Sequence, residues 1–468
     1  MQTPTSTPDP GSFRDPLSRV YVSDDAIWRG LSKEALADFE VLAASGFFEQ
    51  ALERGDVVAT ELVEDVAVVP DEWAAVLRHD RIDVLSYAYE WPFEMLRDAA
   101  RLQLALTRAA LADGVMTKDA TPYNVQFTGT KPVFIDVGSF ERLRPNEPWP
   151  GYRQFCELFL NPLLIQSVRD VPFQPFLRGS IHGISPATTA ELLRGSGLHK
   201  GVFTHVRLHA RAERRYADAD VDHDVKAELK RAGFGPGLID AQLRGLEKTI
   251  ESLRWKQQSS TWSDYGDRAH YSSDDLRAKE AFVTATVDAG APPDLVLDLG
   301  ANDGRFSRIA LEAGARSAIA VDSDDVVVDR LYRDLRAAGE QRILPLVLDL
   351  SDPSPGLGWR APERPAFVER VRPDLVLCLA VVHHLALTNT VPLDEIVTFL
   401  ADFAAPLVVE FPHRDDPMAA RLLARKRPGV FDAYDVTTWE RALAGRFTVR
   451  AQETLPGGTR TLYRCDPA

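Results

Sequence analysis

Cysteine is scarce. The 468 residues contain three, Cys156, Cys378 and Cys465, far apart and with no pair spacing that suggests zinc ligation or a disulfide framework. Cys378 lies in an apolar run and reads as a small buried side chain. Long hydrophobic stretches are also missing; none approaches the ~20 apolar residues needed to cross a bilayer, so no membrane span is expected. Positive charge is in short supply: Lys and Arg number 54 against 69 Asp and Glu, a formal net charge of −15. That balance disfavours nucleic acid as a partner, although a local basic patch stays compatible with it. Met1 to Pro16 lacks a basic stretch leading into an apolar core. It is expected to be a disordered tail rather than a secretory signal, and a cytoplasmic setting follows as the default.

Apolar residues make up 45% of the chain, enough for substantial cores, and the length favours two or three domains. Residues 17–30 alternate as a hairpin, and Lys33 to Glu53 has helical periodicity. β-prone runs follow at Val57 to Val63, Val66 to Val69 and Asp83 to Tyr89. Phe93 to Ala112 predicts a long amphipathic helix with Leu96, Ala99, Ala100, Leu104 and Leu111 on its apolar face, stopped by Asp113-Gly114. From Gln154 to Arg254 the pattern is helical, broken at Pro162, Pro172, Pro175, Gly179 and Gly235, with a solvated charged stretch at Arg207 to Asp224. The expected division is a tail over 1–16, an α+β domain over 17–254, a polar linker over 255–275 and a second domain over 276–468.

The second domain opens on the most informative stretch, Asp294-Leu-Val-Leu-Asp-Leu-Gly-Ala-Asn-Asp-Gly304. An apolar strand ends in Asp298, turns through Gly300 and Gly304, and enters a helix-like segment, Arg305 to Ala313. Such a turn brings backbone N–H groups to a ligand at the carboxyl edge of a sheet. The dinucleotide fingerprint G-x-G-x-x-G fails, because Asn302 and Arg305 stand where it needs glycines. Further apolar runs end in Asp322, in Asp349 and in His383-His384, and Leu407 to Glu410 reads as a fifth strand. A nucleotide-free α/β fold with a tight first turn would share these features. The series resembles the class I S-adenosylmethionine (SAM)-dependent methyltransferases. That resemblance implies a Rossmann-like sheet, with Asp298, Gly300, Asn302 and Gly304 holding the methionine part of SAM, Asp322 the ribose and Asp349 the region near adenine. His384, His383 and Glu410 then face the methyl acceptor, with a histidine as candidate base for a hydroxyl. His413, Arg414 and Asp415 are a candidate substrate loop, and Trp262, Tyr265 and Tyr271 a candidate cover for the cofactor.

A second constellation lies in the first domain. Asp119 and Asn124 have the D-x-x-x-x-N spacing of a kinase catalytic loop, and Asp136-Val137-Gly138 ends an apolar run where a kinase has D-F-G. The expectation is an α+β protein-kinase-like domain whose nucleotide-like site is Asp119, Asn124 and Asp136, with Asn124 and Asp136 converging on magnesium of an ATP-Mg complex. The set is incomplete: no glycine-rich phosphate loop precedes residue 80, and the only lysine before Lys118 is Lys33. An Asx-turn for Asn124 and a scaffold role for the domain stay open.

The segments Tyr87-Ala-Tyr-Glu-Trp-Pro-Phe, Lys118 to Phe127, Phe134 to Glu141 and Tyr152-Arg-Gln-Phe-Cys resemble a group of bacterial proteins. They carry the names of nodulation (NoeA-like) proteins or ribosomal protein L11 methyltransferases. The resemblance spans residues 13–465 and implies methyl transfer from SAM to a small-molecule, glycan or protein acceptor. The alternative is a kinase-like binding or scaffold protein with a vestigial methyltransferase half.

Overall fold

The structure is a computed structural model. It describes residues 6–24, 26–63, 69–70, 72–195, 206, 235–256 and 272–468. The expected aromatic cover (Trp262, Tyr265, Tyr271), the charged stretch Arg207 to Asp224 and most of the expected linker lie outside these residues. The chain divides into two compact units: residues 1–256 together with 357–364, and residues 257–356 with 365–468.

Unit 1 is α+β. Strands β1 (Thr7–Pro8), β2 (Ser18–Val22), β3 (Ile27–Leu31), β4 (Thr60–Val63) and β5 (Ala75–His79) form an antiparallel sheet in the order β1-β2-β3-β5-β4. Between β3 and β4 run helices Lys33–Ala43 and Gly46–Glu53, whose N-cap residues Ser32 and Ser45 accept the Ala35 and Phe48 N–H groups. The predicted helix Phe93–Ala112 is present with those bounds, and Leu96, Ala99, Ala100, Leu104 and Leu111 are all buried. It is followed by β6 (Val115–Thr117), β7 (Val125–Thr128), β8 (Lys131–Phe134) and β9 (Phe140–Arg142), with β6 pairing β9 and β7 pairing β8.

Three expectations fail here. Residues 6–16 do not behave as a tail: Thr7–Pro8 pairs with Val22 and Tyr21, and Arg14 makes a two-pronged ion pair with Glu363. Asp83 to Tyr89 forms no strand, because the Ser86 backbone bonds the buried Gln126 side chain in place of a neighbouring strand. Pro162 breaks no helix: it stands in the first turn of Asn161–Arg169, after a π-helical turn, Cys156–Leu160. Pro162 has no N–H to donate to Leu158, and the wider π-helical turn just before it accommodates that gap in the i→i−4 ladder.

Unit 2 is a doubly wound α/β sheet. Strands β10 (Leu295–Leu299), β11 (Ser317–Asp322), β12 (Ile343–Val347), β13 (Leu375–Cys378), β14 (Leu407–Pro412), β15 (Phe447–Thr454) and β16 (Arg460–Pro467) lie in the order β12-β11-β10-β13-β14-β16-β15. The first five are parallel and β16 is antiparallel to both its neighbours. The parallel strands read as near-continuous apolar runs because helices cover both faces of such a sheet. Strand order reverses between β10 and β13, and ligands of open α/β sheets bind outside the carboxyl ends at such a switch point.

Candidate functional site

In unit 2 the switch point gathers most of the motif residues. Gly300 has φ +78°, and a Cβ added there would sit 2.3 Å from Val381 Cγ2. The first-strand turn and the segment after β13 therefore pack against each other with no room for a side chain. Asn302 (φ 48°) and Gly304 (φ +74°) continue the turn into the helix Arg305–Glu312. Asp298 is buried and accepts the Ser307 hydroxyl at 2.7 Å; burial pushes its pKa up to about 6 against the pull of that bond. Asp322, at the end of β11, receives the Asn302 N–H at 3.0 Å and the Asp324 N–H at 3.0 Å, one on each oxygen. Burial raises its pKa and those two bonds oppose the rise. Each carboxylate oxygen keeps capacity for a further donor. Asp349 is exposed after β12, its carboxylate taken by the Ser351 N–H (2.8 Å) and hydroxyl (2.7 Å).

β13 is shorter than its apolar run because Ala380, at φ 59°, bends the chain. The bend delivers His383 and His384, whose ring centroids are 4.0 Å apart. His383 is buried, and neither ring nitrogen has a hydrogen-bond partner among the described residues. Burial, then the neighbouring His384, Arg460 and Lys279, lower its pKa well below the ordinary value. His384 is lowered to about 4, again by burial first and Arg460 second. Both rings are neutral at pH 7, and a base with a pKa of about 4 holds a proton weakly there.

Glu410 does not stand in the cleft as a free carboxylate. It is fully buried, bound by Lys279 Nζ at 2.8 Å and Arg460 Nη1 at 3.1 Å. Arg460 also forks onto Asp416 at 2.6 and 3.1 Å, and Asp416 caps the helix Pro417–Leu423 through the Met418 and Ala419 N–H groups. Burial pushes the Glu410 pKa up, but the two cations outweigh it and leave it below the ordinary carboxylate range. Its role is counter-ion. Lys279, which the motif analysis missed, shares the buried face of the helix Ser273–Asp288 with Val283 and Val287. A charge spaced by four among apolar positions was the available signal. In the candidate substrate loop, Arg414 is tied to the Phe431 and Tyr434 carbonyls and His413 to Thr461.

In unit 1, Asp119 accepts Gln154 Nε2 at 3.1 Å, and burial, opposed by that bond, raises its pKa. Asn124 Oδ1 takes the Thr121 hydroxyl at 3.2 Å, while its Nδ2 is buried with no partner among the described residues. The Ile135 N–H to Asn124 carbonyl bond, 2.8 Å, ties the two motif strands together. Asp136 holds Arg29 of β3, Nη2 to Oδ1 2.8 Å. No group of three or more His, Cys, Asp or Glu gathers as a metal site among the described residues. Of the residues expected to hold magnesium, Asp136 thus carries a guanidinium on one oxygen and Asn124 a hydroxyl on its amide oxygen. Arg29, the charge inside Ile27-Trp-Arg-Gly-Leu31, was also missed by motif reading.

Nodulation protein NoeA of Rhizobium meliloti (strain 1021) is 35% identical over 461 residues, 97% of this chain and 94% of that protein. The chain belongs to the NoeA family. No protein-family model matches it. Among solved structures, the N-methyltransferase NodS from Bradyrhizobium japonicum WM9, in complex with S-adenosyl-L-homocysteine, is 13% identical. The match covers 44% of this chain and 99% of NodS at a TM-score of 0.31. The bifunctional kinase-methyltransferase WbdD is 14% identical over 45% of this chain and 43% of its own, also at 0.31. PH0226 from Pyrococcus horikoshii OT3 is 16% identical over 43% and 94%, at 0.31. Scores of this size do not by themselves carry an activity over to a NoeA-family chain. No helix among the described residues is long and apolar enough to cross a membrane.

Proposed function

We propose that this NoeA-family chain is a class I SAM-dependent methyltransferase whose cofactor site lies at the switch point of unit 2. The observation that carries the reading is the side-chain-free approach of Gly300 to Val381, flanked by Asp298 and Asp322 at the ends of adjacent strands. A turn built this way leaves backbone, rather than side chains, facing a ligand, and the two acids suit an ammonium and a pair of ribose hydroxyls. The parallel order 3-2-1-4-5, closed by an antiparallel strand from the chain's end, departs from the dinucleotide fold as the missing glycines do.

SAM supplies an already activated methyl group, so the chain's own residues mainly align an acceptor and exclude water. Asp298 would hold the amino-acid end, Asp322 the ribose, and Asp349, being exposed, the outer rim near the base. His383 and His384 would meet the acceptor. As neutral rings they accept a hydrogen bond from a hydroxyl or amine and orient it; their low proton affinity makes positioning the larger part of that role. The acceptor class stays open among small molecules, glycans and protein groups.

For unit 1 we propose a kinase-like scaffold. In protein kinases a third-strand lysine reaches the phosphates and pairs with a helix glutamate, while the D-F-G carboxylate lies beside it and holds magnesium. Here a third-strand cation, Arg29, and the carboxylate of Asp136-Val-Gly are likewise brought together, but they bond each other directly.

The deciding experiment is calorimetric titration of the full chain with SAM. Binding is expected, and Asp322→Ala should weaken it by about 1.5–3 kcal/mol, the worth of a charged hydrogen bond. Unchanged affinity in a folded variant would remove Asp322 from the cofactor site, and no binding to either protein would remove the methyltransferase reading.

A further inference from the structure

The connection between β1 and β2, residues 9–17, carries two carboxylates toward the cations of unit 1. Asp15 Oδ2 receives Lys118 Nζ at 3.1 Å, next in sequence to Asp119. The same oxygen takes the Ser18 hydroxyl at 3.1 Å, and Ser18 Oγ in turn receives Arg29 Nη1 at 3.2 Å. Arg29 then reaches Asp136. One polar chain thus runs Lys118–Asp15–Ser18–Arg29–Asp136. Gly138 permits it: a Cβ there would lie 2.7 Å from Arg29 Nη1 and 3.3 Å from Ser18 Oγ. Asp9 is half-enclosed near Arg29 and Arg19; burial raises its pKa although both cations pull it down. For Asp15, burial pushes up, but the Leu17 N–H and the Lys118 ammonium outweigh it and leave its pKa lowered. The orphaned Nδ2 of Asn124, 8% exposed as a residue, belongs to the same motif loop.

We propose that loop 9–17 is an internal anion that closes a polyphosphate-binding site of unit 1. The inference rests on the kinase-like reading of that unit. In a kinase the loop between the first two strands covers phosphates with glycine backbone. Here it brings carboxylates: Asp15 pairs with Lys118 and meets Arg29 through the Ser18 hydroxyl, so a polyphosphate must displace Asp15 to reach Lys118 and that edge of Arg29. The loop is built to lift. β1 offers two residues to the sheet, one of them Pro8, which has no N–H to donate. The Lys118–Asp15 pair is about a quarter exposed on each side (26% and 29%), where water competes for it. The Arg14–Glu363 ion pair is the loop's second fastening.

The test is calorimetric titration of the full chain with inorganic pyrophosphate. The wild-type chain should bind it at millimolar strength or weaker. Asp9→Asn together with Asp15→Asn should tighten binding at least tenfold, and adding Arg29→Met should abolish the gain. Asp38→Asn, a carboxylate paired elsewhere with Arg142, should change nothing. Equal micromolar binding by wild type and double variant overturns the proposal but leaves the kinase-like site standing. No binding by either overturns both. Should the double variant fail to fold, Ser18→Ala cuts the relay with both carboxylates intact and must still raise affinity at least threefold; an unchanged affinity refutes the internal anion.

Discussion

Each unit carries a chain of alternating charges, and the two are built on opposite terms. In unit 2, Lys279, Glu410, Arg460 and Asp416 are all at most 4% exposed, and every carboxylate meets a nitrogen at 2.6–3.1 Å. In unit 1 the bonds are of similar length, but Asp136, Lys118 and Asp15 keep roughly a quarter of their side chains in water. Ions withdrawn from water recover their hydration only from each other, so a sealed network tolerates no missing member. Ions at a wet edge exchange protein partners for water at little cost. The sealed network ties the helix Ser273–Asp288, β14, β16 and the helix after Asp416 into one frame behind the histidines. The open one is suited to swapping one anion for another. The same chemistry is architecture in one place and a replaceable contact in the other.

The sharpest way to break this contrast is Lys279→Met, which leaves Glu410 buried against Arg460 alone. It should cost about 3–5 kcal/mol in denaturant unfolding of unit 2. A loss under ~1 kcal/mol would show that the sealed network is no frame. Next comes Gly300→Ala: the positive φ alone costs about 1–2 kcal/mol, and the displaced Val381 should weaken SAM binding by at least tenfold. Retained affinity would move the cofactor away from this turn.

Asp298 gives a pH test. Its pKa in the fold, about 6, lies above the ordinary 3.8, so the protonated form is the one the fold favours. Its contribution to folding stability is full below about pH 4 and is lost as pH rises through 6. Cofactor binding should run the other way. If the ionised carboxylate holds the amino end of SAM, affinity should fall up to about tenfold per pH unit below 6, and Asp298→Asn should flatten the dependence. A flat wild-type profile between pH 5 and 7.5 would take Asp298 out of contact. The smallest effect is expected for Lys118→Met, within about 1 kcal/mol in unfolding, because its ion pair is partly hydrated. A loss as large as that of Lys279→Met would erase the distinction between the two chains.

Much of unit 2 was legible because its signals are local. Apolar runs between Leu295 and Glu410 mark strands, the turn glycines punctuate the first of them, Asp322 closes its strand where read, and Asp298 lies one residue before its strand's end. The helix Phe93–Ala112 was legible for the same reason, its 3.6-residue period and its Asp113-Gly114 stop being written in consecutive residues. The strand Ala75–His79 escaped, since Ala-Val-Leu-Arg-His alternates too little to separate it from a loop. Glu410 was read as a strand end but lies inside Leu407–Pro412, and its ion pairs escaped because its partners are 131 and 50 residues away.

The parallel sheet was what the resemblance implied; the amino-acid order alone determined the apolar strand segments of unit 2, the bounds of the long helix and the order of the strand-end acids. Each depends on periodicity or on backbone preferences within a few residues. Tertiary structure decided which charges meet. Lys279 became the partner of Glu410, Arg29 that of Asp136, and Asp15 that of Lys118, while His383 was left with none among the described residues. An ion pair is a matter of distance and burial, and neither quantity exists until the chain has folded back on itself.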